Sequence, residues 1–331
     1  MKTIVITSIF PPTQAVHSFS NKKDYSLVVV GDKKSPNDWH LDGVHYLGIE
    51  KQAQNQFKLV QRLPYNHYCR KMIGYLFAIK EGASTIIDTD DDNYPKAAWA
   101  FPDFEGSFDL ISGVDGYINV YSLFTGHKIW PRGLPLNAIA LQDDLEALIQ
   151  KQFCNVGIWQ GLADGDPDVD AIYRLTNNTP CFFQERSPVV LDRGVISPFN
   201  SQNTAFCKEL FPLLYLPTSV SFRFTDILRG FVAQPIMWSH DYLLGFTEAT
   251  VVQERNNHDL MEDFRLEIPM YDSCESLVPI VSQVVRKDAS ISDNLLAAYA
   301  ELIRCEIVAS SEMQILDAWL DDLAKISSSV S

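Results

Sequence analysis

The stretch "ASTIIDTDDDNYP", residues 83–95, turns abruptly from apolar to acidic. Ile86 and Ile87 run straight into four carboxylates within five residues: Asp88, Asp90, Asp91 and Asp92. Carboxylates a few ångströms apart repel one another, and a divalent cation is the usual counter-charge. The stretch therefore predicts a buried strand that ends in a cation site.

The residues before this stretch alternate between strand-like and helix-like patterns. "TIVITSI" (3–9) and "SLVVVGD" (26–32) are β-branched runs with polar ends, as in buried parallel strands, and "VHYLGI" (44–49) is a candidate third strand. "HYCRKMIGYLFAIKEGA" (67–83) has helical periodicity, with Gly82 at a C-cap position. This order predicts an open α/β sheet, whose sites lie at the carboxyl ends of its strands.

The later sequence is less regular. Residues 107–205 predict short strands and many loops, and "DGDPDVD" (164–170) predicts a loop or a helix start. "FTDILRGFVAQPIMW" (224–238) is amphipathic and predicts a helix as far as Pro235. The last forty residues predict two helices packed on the main body.

Composition narrows the class of protein. The chain has 331 residues and a formal charge of −15, which argues against general binding of a nucleic-acid backbone. Its six cysteines are scattered without a C-x-x-C pair, which favours free thiols in a reducing compartment. We find neither a signal-peptide pattern at the N-terminus nor an apolar run long enough to span a membrane. These features predict a cytoplasmic protein without a transmembrane segment.

Three chemistries use aspartate clusters of this kind. An EF-hand loop needs Gly at its sixth position and Glu at its twelfth, where this chain has Asn93 and Trp99. A haloacid dehalogenase phosphatase needs Thr or Val where Asp92 stands. The D-x-D of GT-A glycosyltransferases fits better, since its carboxylates hold Mn²⁺ or Mg²⁺ against the diphosphate of a nucleotide sugar. A solvated acidic turn remains the alternative for an isolated D-x-D.

Several longer motifs surround the aspartates in a fixed order. They are "VVGDKKSPNDWHLDGVHYLGIEKQ", "LPYNHYCRKMIGYLFAIKEGA", "IIDTDDDN", "IWPRGLPL", "GDPDVDAIYRLT", "SPFNSQNTAF" and "LPTSVSFRFTDILRGFVAQPIMW". Together they resemble the glycosyltransferase domain of the STELLO family, known from plant Golgi proteins linked to cellulose synthesis. The resemblance covers about residues 1–255. A more distant likeness is to the reversibly glycosylated polypeptides, which act as UDP-arabinose mutases and carry a D-D-D motif.

The resemblance implies a GT-A fold, a Rossmann-like mixed sheet flanked by helices, over residues 1–255. A C-terminal helical extension would occupy residues 256–331. The implied activity is metal-dependent transfer of a sugar from a nucleotide-sugar donor, UDP-linked by default, to a glycan or glycoconjugate acceptor. We expect a role in surface polysaccharide synthesis, with peripheral association at the cytoplasmic face of a membrane. The chain departs from the plant proteins in lacking a Golgi anchor and in its acidic helical tail.

Two other functions remain open at this point. A nucleotide-sugar mutase, as in the distant relatives, would need no external acceptor and would depend on Arg132. That arginine resembles, by position, the one that becomes glycosylated in the mutases. A non-catalytic scaffold would bind the nucleotide sugar without transferring or isomerising it.

The resemblance implies donor contacts at the ends of the first two strands. Thr7 and Ser8 would contact the base and ribose, and Asp32 the ribose or uracil. Ordinary hydrogen bonding within loops explains such residues equally well. Arg70 and Lys71, on the helix before the D-x-D strand, would offset the charge of the diphosphate. The alternative for this pair is the solvated face of an amphipathic helix.

The metal ligands are expected among the aspartates. Asp90 and Asp92 alternate along an extended segment, so they point the same way. Asp88 would face the ribose or Lys71, and Asp91 has no clear assignment. GT-A sites often add a late histidine as a third ligand. The candidates are His258 and His240, although a lone histidine is more often structural.

The acceptor side needs an ionised carboxylate as general base if the enzyme inverts. Asp226, in "FTDILRG", stands where GT-A enzymes carry an acidic residue at a helix start, although a carboxylate there also stabilises the helix. Asp168 and Asp170 compete for the role or bind sugar hydroxyls. Trp130, beside Arg132, is either a sugar-stacking platform or a core anchor.

The amides and hydroxyls of "NSQNTAF" (200–206) also suit sugar hydroxyls, with an ordinary polar turn as the alternative.

Overall fold

The computed structural model describes residues 1–140, 144–177, 179–254 and 259–330, with side chains as far as residue 328. Twelve strands are found in these ranges: β1 (Lys2–Thr7), β2 (Tyr25–Val30), β3 (Val44–Leu47), β4 (Thr85–Thr89), β5 (Asn93–Pro95), β6 (Glu105–Ile111), β7 (Gly116–Tyr117), β8 (Ile149–Gly165), β9 (Val189–Leu191), β10 (Val195–Ile196), β11 (Asn203–Cys207) and β12 (Leu243–Gln253). The α-helices are α1 (Gln14–Ser20), α2 (Ile49–Gln54), α3 (Lys71–Lys80), α4 (Ala171–Asn177), α5 (Thr225–Ser239), α6 (Leu260–Ser282), α7 (Ile291–Arg304) and α8 (Glu312–Val330).

Ten strands form one mixed sheet in the order β3-β2-β1-β4-β11-β8-β6-β9-β12-β5. The first four are parallel, and β11 runs antiparallel to β4 on one side and to β8 on the other. Helices flank this sheet, which confirms the predicted α/β class, a Rossmann-like mixed sheet flanked by helices. The parallel half brings the carboxyl ends of β1, β2 and β4 to one edge.

The predicted early elements are confirmed because their signals are local. The three runs at 3–9, 26–32 and 44–49 form β1, β2 and β3, and the run before the aspartates forms β4. In β4 the side chains alternate between two cores: Ile86 packs on the side of α3 and Ile87 on the opposite side. Gly82, just past the end of α3, adopts a φ of +83°, which a glycine accepts without strain.

The irregular middle of the chain contains a strand that the sequence analysis missed. β8 extends over 17 residues and pairs with β6, β11 and β12. Two glycines interrupt its apolar pattern because neighbours pass close by. A Cβ at Gly161 would lie 2.3 Å from Nδ2 of Asn203, and one at Gly157 would lie 2.2 Å from Cδ1 of Leu210. Because glycine has no side chain, Gly157 and Gly161 weaken the strand pattern in the sequence. The close packing of Leu210 and Asn203 leaves no room for a larger residue at these positions.

The prediction that the helix from residue 224 stops at Pro235 is wrong. α5 continues to Ser239, and every residue from Thr225 to Trp238 is buried. An internal proline removes one helical hydrogen bond and costs about 3 kcal/mol or more. Burial on all sides offsets that cost, which the amphipathic reading of this segment did not anticipate.

The two predicted C-terminal helices are confirmed as α7 and α8, and α6 precedes them. All three contribute to the same apolar core as α3 and α5. The carboxylate of Asp322, on α8, accepts hydrogen bonds from the backbone N–H groups of Lys58 and Leu59 at 3.0 and 2.9 Å. The division into residues 1–255 and 256–331 stays a prediction. Among the described residues, no helix combines the length and apolar character needed to cross a bilayer.

Candidate active site

A cavity of about 450 Å³ opens at the edge where β1, β2 and β4 end. Nine of the predicted site residues line it: Thr7, Ser8, Asp32, Arg70, Asp90, Asp92, Arg132, Asp168 and Asp226. The loops after β1 and β2 form one wall, the aspartates after β4 form the middle, and segments from residue 132 onward form the opposite wall. The topology therefore brings together predicted site residues up to 219 positions apart in sequence, from Thr7 to Asp226.

The first wall is held by short hydrogen bonds between loops. The hydroxyl of Ser8 donates to the carboxylate of Asp91. The carboxylate of Asp32 accepts from the backbone N–H of Lys33 at 2.7 Å and from that of His67 at 3.2 Å. Asp32 therefore joins the β2 loop to the segment that leads into α3, at a fixed position on the cavity wall.

The three consecutive aspartates present their carboxylates to the cavity. Burial raises the pKa of all three, and that of Asp90 reaches about 7 although Lys71 opposes the shift. Oδ2 of Asp92 accepts from the side-chain amide of Gln253 at 3.2 Å. Its Oδ1 is buried and has no hydrogen-bond partner among the described residues. Such an atom is costly unless a cation or ligand group completes it.

These carboxylates fit a hard divalent cation. Asp90 and Asp92 supply oxygen ligands, and the unpartnered Oδ1 of Asp92 is the clearest sign of a missing partner. Within the described ranges, no group of three or more His, Cys, Asp or Glu side chains could hold a metal by itself. A cation at this site would therefore take further ligands from a bound diphosphate or from water, as Mg²⁺ commonly does.

Lys71 and Asp88 do not line the cavity, which argues against their assignment as donor-binding residues, whereas the alternative that Asp88 faces Lys71 is what the structure shows. The Lys71 ammonium lies 2.6 Å from Asp88, 3.0 Å from Asp90 and 2.6 Å from the carbonyl oxygen of Thr89. The second oxygen of Asp88 lies 2.8 Å from Nη1 of Arg229. Side chains of Lys71 and Asp88 are both 0% exposed. Asp88 is thus a buried anion between two cations, and only Lys71 reaches a carboxylate of the cavity.

Arg70 lines the cavity but is already engaged. Its guanidinium donates to Oε1 of Gln52 at 3.1 Å and to the carbonyl oxygen of Leu63 at 3.3 Å, and it stacks 4.3 Å from the centre of the Tyr65 ring. Burial lowers its pKa. The predicted contact between Arg70 and a diphosphate stays a prediction, and all three guanidinium nitrogens already donate hydrogen bonds within the protein.

Arg132 is clamped between two carboxylates on the opposite wall. Its Nε and Nη2 atoms each lie 2.8 Å from an oxygen of Asp168. Its two terminal nitrogens each lie 3.1 Å from an oxygen of Asp226. Burial alone would raise the pKa of Asp226, but Arg132, together with Arg229 and the backbone N–H of Ser201, holds that pKa below its usual value. Asp226 is therefore ionised and able to accept a hydrogen bond from a hydroxyl group.

Amides of the "NSQNTAF" segment complete this clamp. The side-chain amide of Asn200 donates to Asp168 at 2.8 Å, and the backbone N–H of Ser201 donates to Asp226 at 3.1 Å. Gln202 lines the cavity and contacts Gln253 through its own side-chain amide. The segment thus orients the carboxylates of Asp168 and Asp226, a role that its composition alone did not specify.

Trp130 and Asp170 lie outside this cavity, which corrects two further candidates. The indole N–H of Trp130 donates to Asp170 at 2.7 Å, and Trp130 lines a separate cavity of about 360 Å³. Asp170 is 0% exposed and also accepts from the backbone N–H of Tyr173 at the start of α4. Trp130 is therefore a core anchor, and Asp170 is a helix-capping residue.

The buried Asp170 predicts a pH-dependent stability. Burial raises its pKa in the folded protein from 3.8 to about 6, so the stability linked to this group is present below pH 3.8 and is lost as the pH rises through 6. Asp170→Asn cannot ionise. Its free energy of unfolding relative to wild type should therefore rise by about 1–2 kcal/mol between pH 5 and pH 8.

Urea denaturation of both proteins at the two pH values measures this difference. Asp38→Asn is the matched control, because Asp38 is exposed to solvent. A wild-type-to-variant difference that is the same at pH 5 and pH 8 would contradict the raised pKa of Asp170.

His240, the histidine candidate within the described residues, does not line the cavity. His240 ends α5 and contacts Ser239 and the carbonyl oxygen of Ile236, away from the cavity lining. His258 lies outside the described residues. The third metal ligand therefore stays a prediction.

Several residues of the opposite wall were not predicted from the sequence. Arg174 pairs with Asp166, and Arg223 lies 2.7 Å from Glu267 of α6. Phe222 stands beside Arg223 with its ring exposed. Arg223 could have been noticed as a charge in the middle of an aromatic run, "SFRF", but its partner lies 44 positions away.

Known proteins resemble this chain over different parts of its length. The family model of STELLO glycosyltransferases matches residues 223–330. The probable glycosyltransferase STELLO2 of Arabidopsis thaliana is 33% identical over 264 residues, which cover 72% of this chain and 34% of the relative. STELLO1 of the same plant is 28% identical over 354 residues, covering 98% of this chain and 44% of the relative. The chain thus spans less than half the length of these relatives.

The family match corrects one expectation about the C-terminal helices. Because it covers residues 223–330, it includes α6, α7 and α8. The helical tail is therefore shared with the family and is not a departure from it.

Solved structures resemble the chain only distantly. One is glucosyl-3-phosphoglycerate synthase from Mycobacterium tuberculosis in complex with Mg²⁺ and UDP, with 12% identity and a TM-score of 0.37 over 83% of this chain and 79% of that chain. Its complex with Mn²⁺, UDP and glucosyl-3-phosphoglycerate has 10% identity and a TM-score of 0.39 over 83% and 80%. Scores this low carry no argument about the site.

Proposed function

Because this chain belongs to the STELLO family of glycosyltransferases, we propose that it transfers a sugar from a UDP-linked donor to a hydroxyl group of a glycan or glycoconjugate, with Mn²⁺ or Mg²⁺ as cofactor. The observation that carries the proposal is the pair Asp90 and Asp92 in the cavity, with one buried oxygen of Asp92 lacking a partner. Surface polysaccharide synthesis near a membrane is the setting we propose for this reaction.

The donor would occupy the half of the cavity next to the first two strands. Thr7, Ser8 and Asp32 supply hydroxyl, backbone and carboxylate groups suited to a nucleoside. Asp90 and Asp92 would hold the cation, which supplies Lewis-acid stabilisation of the departing nucleoside diphosphate. Nζ of Lys71 lies 3.0 Å from Oδ1 of Asp90, and this ion pair keeps the Asp90 carboxylate in one orientation.

The acceptor would meet the carboxylates of the opposite wall. Asp168 and Asp226 are fixed by Arg132, Asn200 and Ser201, so their oxygens have defined positions. In the reaction, the acceptor oxygen forms a bond to the anomeric carbon, the bond to the diphosphate breaks, and one of these two carboxylates takes the hydroxyl proton. Arg132 acts as a positioning residue for both carboxylates.

The mutase alternative is less favoured by the arrangement around Arg132. The guanidinium is 5% exposed and both of its edges contact carboxylates. A sugar bound covalently to Arg132 would displace at least one of these ion pairs and leave a buried charge without its partner.

Calorimetric titration tests the proposal directly. The full chain is titrated with UDP, GDP and CDP, each with MnCl₂ and with EDTA. We expect UDP to bind with Mn²⁺ and to bind at least about tenfold more weakly in EDTA, because the diphosphate shares the cation with Asp90 and Asp92. If none of the three nucleotides binds in the presence of Mn²⁺, the glycosyltransferase proposal fails for this chain.

Product analysis separates the remaining alternatives. A UDP-sugar incubated with protein and Mn²⁺, without acceptor, would be isomerised by a mutase. A scaffold would bind the nucleotide sugar and leave it unchanged even when acceptors are supplied.

A further inference from the structure

The loop before α5 forms one lip of the cavity and exposes an aromatic ring there. Phe222 is 54% exposed, although Arg223, Phe224, Thr225 and Asp226, which follow it, are all buried. Phe222 lines the cavity, and its ring meets that of Tyr68 edge-on at 5.5 Å between centroids. Exposing so large an apolar ring costs hydrophobic free energy that burial would recover, so a ligand that covers it gains that energy.

The position of Phe222 does not result from a loose loop. The backbone N–H groups of Thr218 and Ser219 donate to the buried carboxylate of Glu312, at 2.8 and 2.9 Å. The hydroxyl of Ser221 donates to the carbonyl oxygen of Leu266 at 2.5 Å. Arg223 completes the attachment through its ion pair with α6. Helices α6 and α8 therefore hold the loop on both sides of the ring.

The three arginines of this wall face four carboxylates. Its three arginines each contact carboxylates: Arg132 contacts Asp168 and Asp226, Arg174 contacts Asp166, and Arg223 contacts Glu267. Among the described residues of this wall, no arginine is left to neutralise a phosphate or carboxylate group of an acceptor. An uncharged polyol fits this wall better than an anionic acceptor does, because carboxylates and the Gln202 amide form hydrogen bonds with hydroxyl groups.

Two further exposed apolar residues lie at the opposite lip of the cavity. Ile9 and Phe10, on the loop after β1, are 42% and 48% exposed and line the cavity next to Thr7 and Ser8. This pair is adjacent to the residues suited to the nucleoside. Phe222 belongs to the wall that carries Asp168 and Asp226, the residues suited to the acceptor.

We propose, on the premise of the transferase function above, that Phe222 is the stacking platform for an uncharged pyranose ring of a glycan acceptor. The ring's apolar face lies on Phe222, and one of its hydroxyl groups reaches Asp168 and Asp226. Glu267 and Glu312, from the C-terminal helices, are positioning residues for this subsite because they hold the loop that carries the ring.

The test titrates neutral and anionic sugars into the full chain loaded with UDP and Mn²⁺. The neutral probes are cellobiose, maltose and xylobiose, and the anionic probes are glucuronate and glucose 6-phosphate. Wild type is compared with Phe222→Ala and Phe222→Trp. Phe153→Ala is the matched control, since Phe153 is also an exposed phenylalanine but lies on β8 away from the cavity.

We expect at least one neutral disaccharide to bind wild type. Phe222→Ala should weaken that binding about tenfold, the size of a lost aromatic contact, while Phe222→Trp retains it and Phe153→Ala has no effect. The affinity for UDP should be the same in all four proteins. The variants should keep the wild-type melting temperature, because the ring is exposed.

Several outcomes would overturn the inference while leaving the proposed function intact. Wild type could bind UDP normally but no disaccharide, or it could bind a disaccharide that Phe222→Ala binds equally well. Wild type could also bind the anionic sugars more tightly than the neutral ones. Finally, Phe222→Ala could lose affinity for UDP. The last would place the nucleoside, and not the acceptor, on Phe222. Failure of wild type to bind any nucleotide would overturn the proposed function itself.

Discussion

Replacing Asp90 and Asp92 together by asparagine is expected to abolish metal-dependent binding of UDP and to lower the rate of sugar transfer by about a thousandfold. The amide keeps the size of each side chain but removes two of the three negative charges that the aspartate cluster presents to the cavity. A divalent cation is then left with Asp91 alone in the middle of the site, and the carboxylate of Asp91 already accepts a hydrogen bond from Ser8. The developing charge of the leaving diphosphate then loses its main stabilising partner.

Two readouts separate this effect from unfolding. Binding of Mn²⁺ is followed by the electron paramagnetic resonance signal of the free ion, with and without UDP, and the melting temperature is measured in EDTA. Burial raises the pKa of both carboxyls, so the neutral amides should not destabilise the metal-free protein. Asp42→Asn is the exposed control. Unchanged Mn²⁺ affinity in the double variant would show that the cation site lies elsewhere.

Asp88→Asn is expected to destabilise the fold by about 3–5 kcal/mol, the usual cost of removing one partner from a buried ion pair. Asp88 has no exposed surface and lies between Lys71 and Arg229, which are also buried. The amide leaves these two cations facing each other across a neutral group. Repulsion and incomplete solvation then both oppose folding.

Guanidinium chloride denaturation measures this loss, and a double-mutant cycle assigns it. Arg229→Met in the Asp88→Asn background should restore part of the stability, because it removes one of the stranded cations. Asp241→Asn, at an exposed ion pair, should change stability by less than about 1 kcal/mol. A variant that loses nucleotide affinity but keeps its stability would instead support contact between Asp88 and a ribose.

Sequence patterns predicted those parts of the site that depend on local order. The apolar run before Asp88 predicted both the strand and its end, because alternating burial and a sharp change of polarity are local properties. The same holds for Thr7, Ser8 and Asp32, which follow the ends of β1 and β2. They line the cavity because neighbouring parallel strands end at one edge.

Residues whose roles depend on distant partners were assigned less well. Lys71 and Asp88 looked like donor contacts, but burial turned them into an ion network with Arg229, 141 positions from Asp88. Trp130 was predicted to be either a sugar platform or a core anchor, and its indole N–H donates a hydrogen bond to the buried Asp170, as in a core anchor. Phe222, which the sequence analysis did not select, became the exposed ring of the acceptor wall.

By itself, the sequence determined the order of strands and helices in the parallel half, the acidic cluster at its edge and the family to which the chain belongs. These rest on residues close together along the chain, where periodicity and spacing are visible. Only the tertiary structure decided which charges face the cavity and which are neutralised in the core. The physical reason is that the state of a carboxylate or guanidinium depends on its burial and its partners, and here those partners lie up to 141 positions away in sequence, as Arg229 does from Asp88.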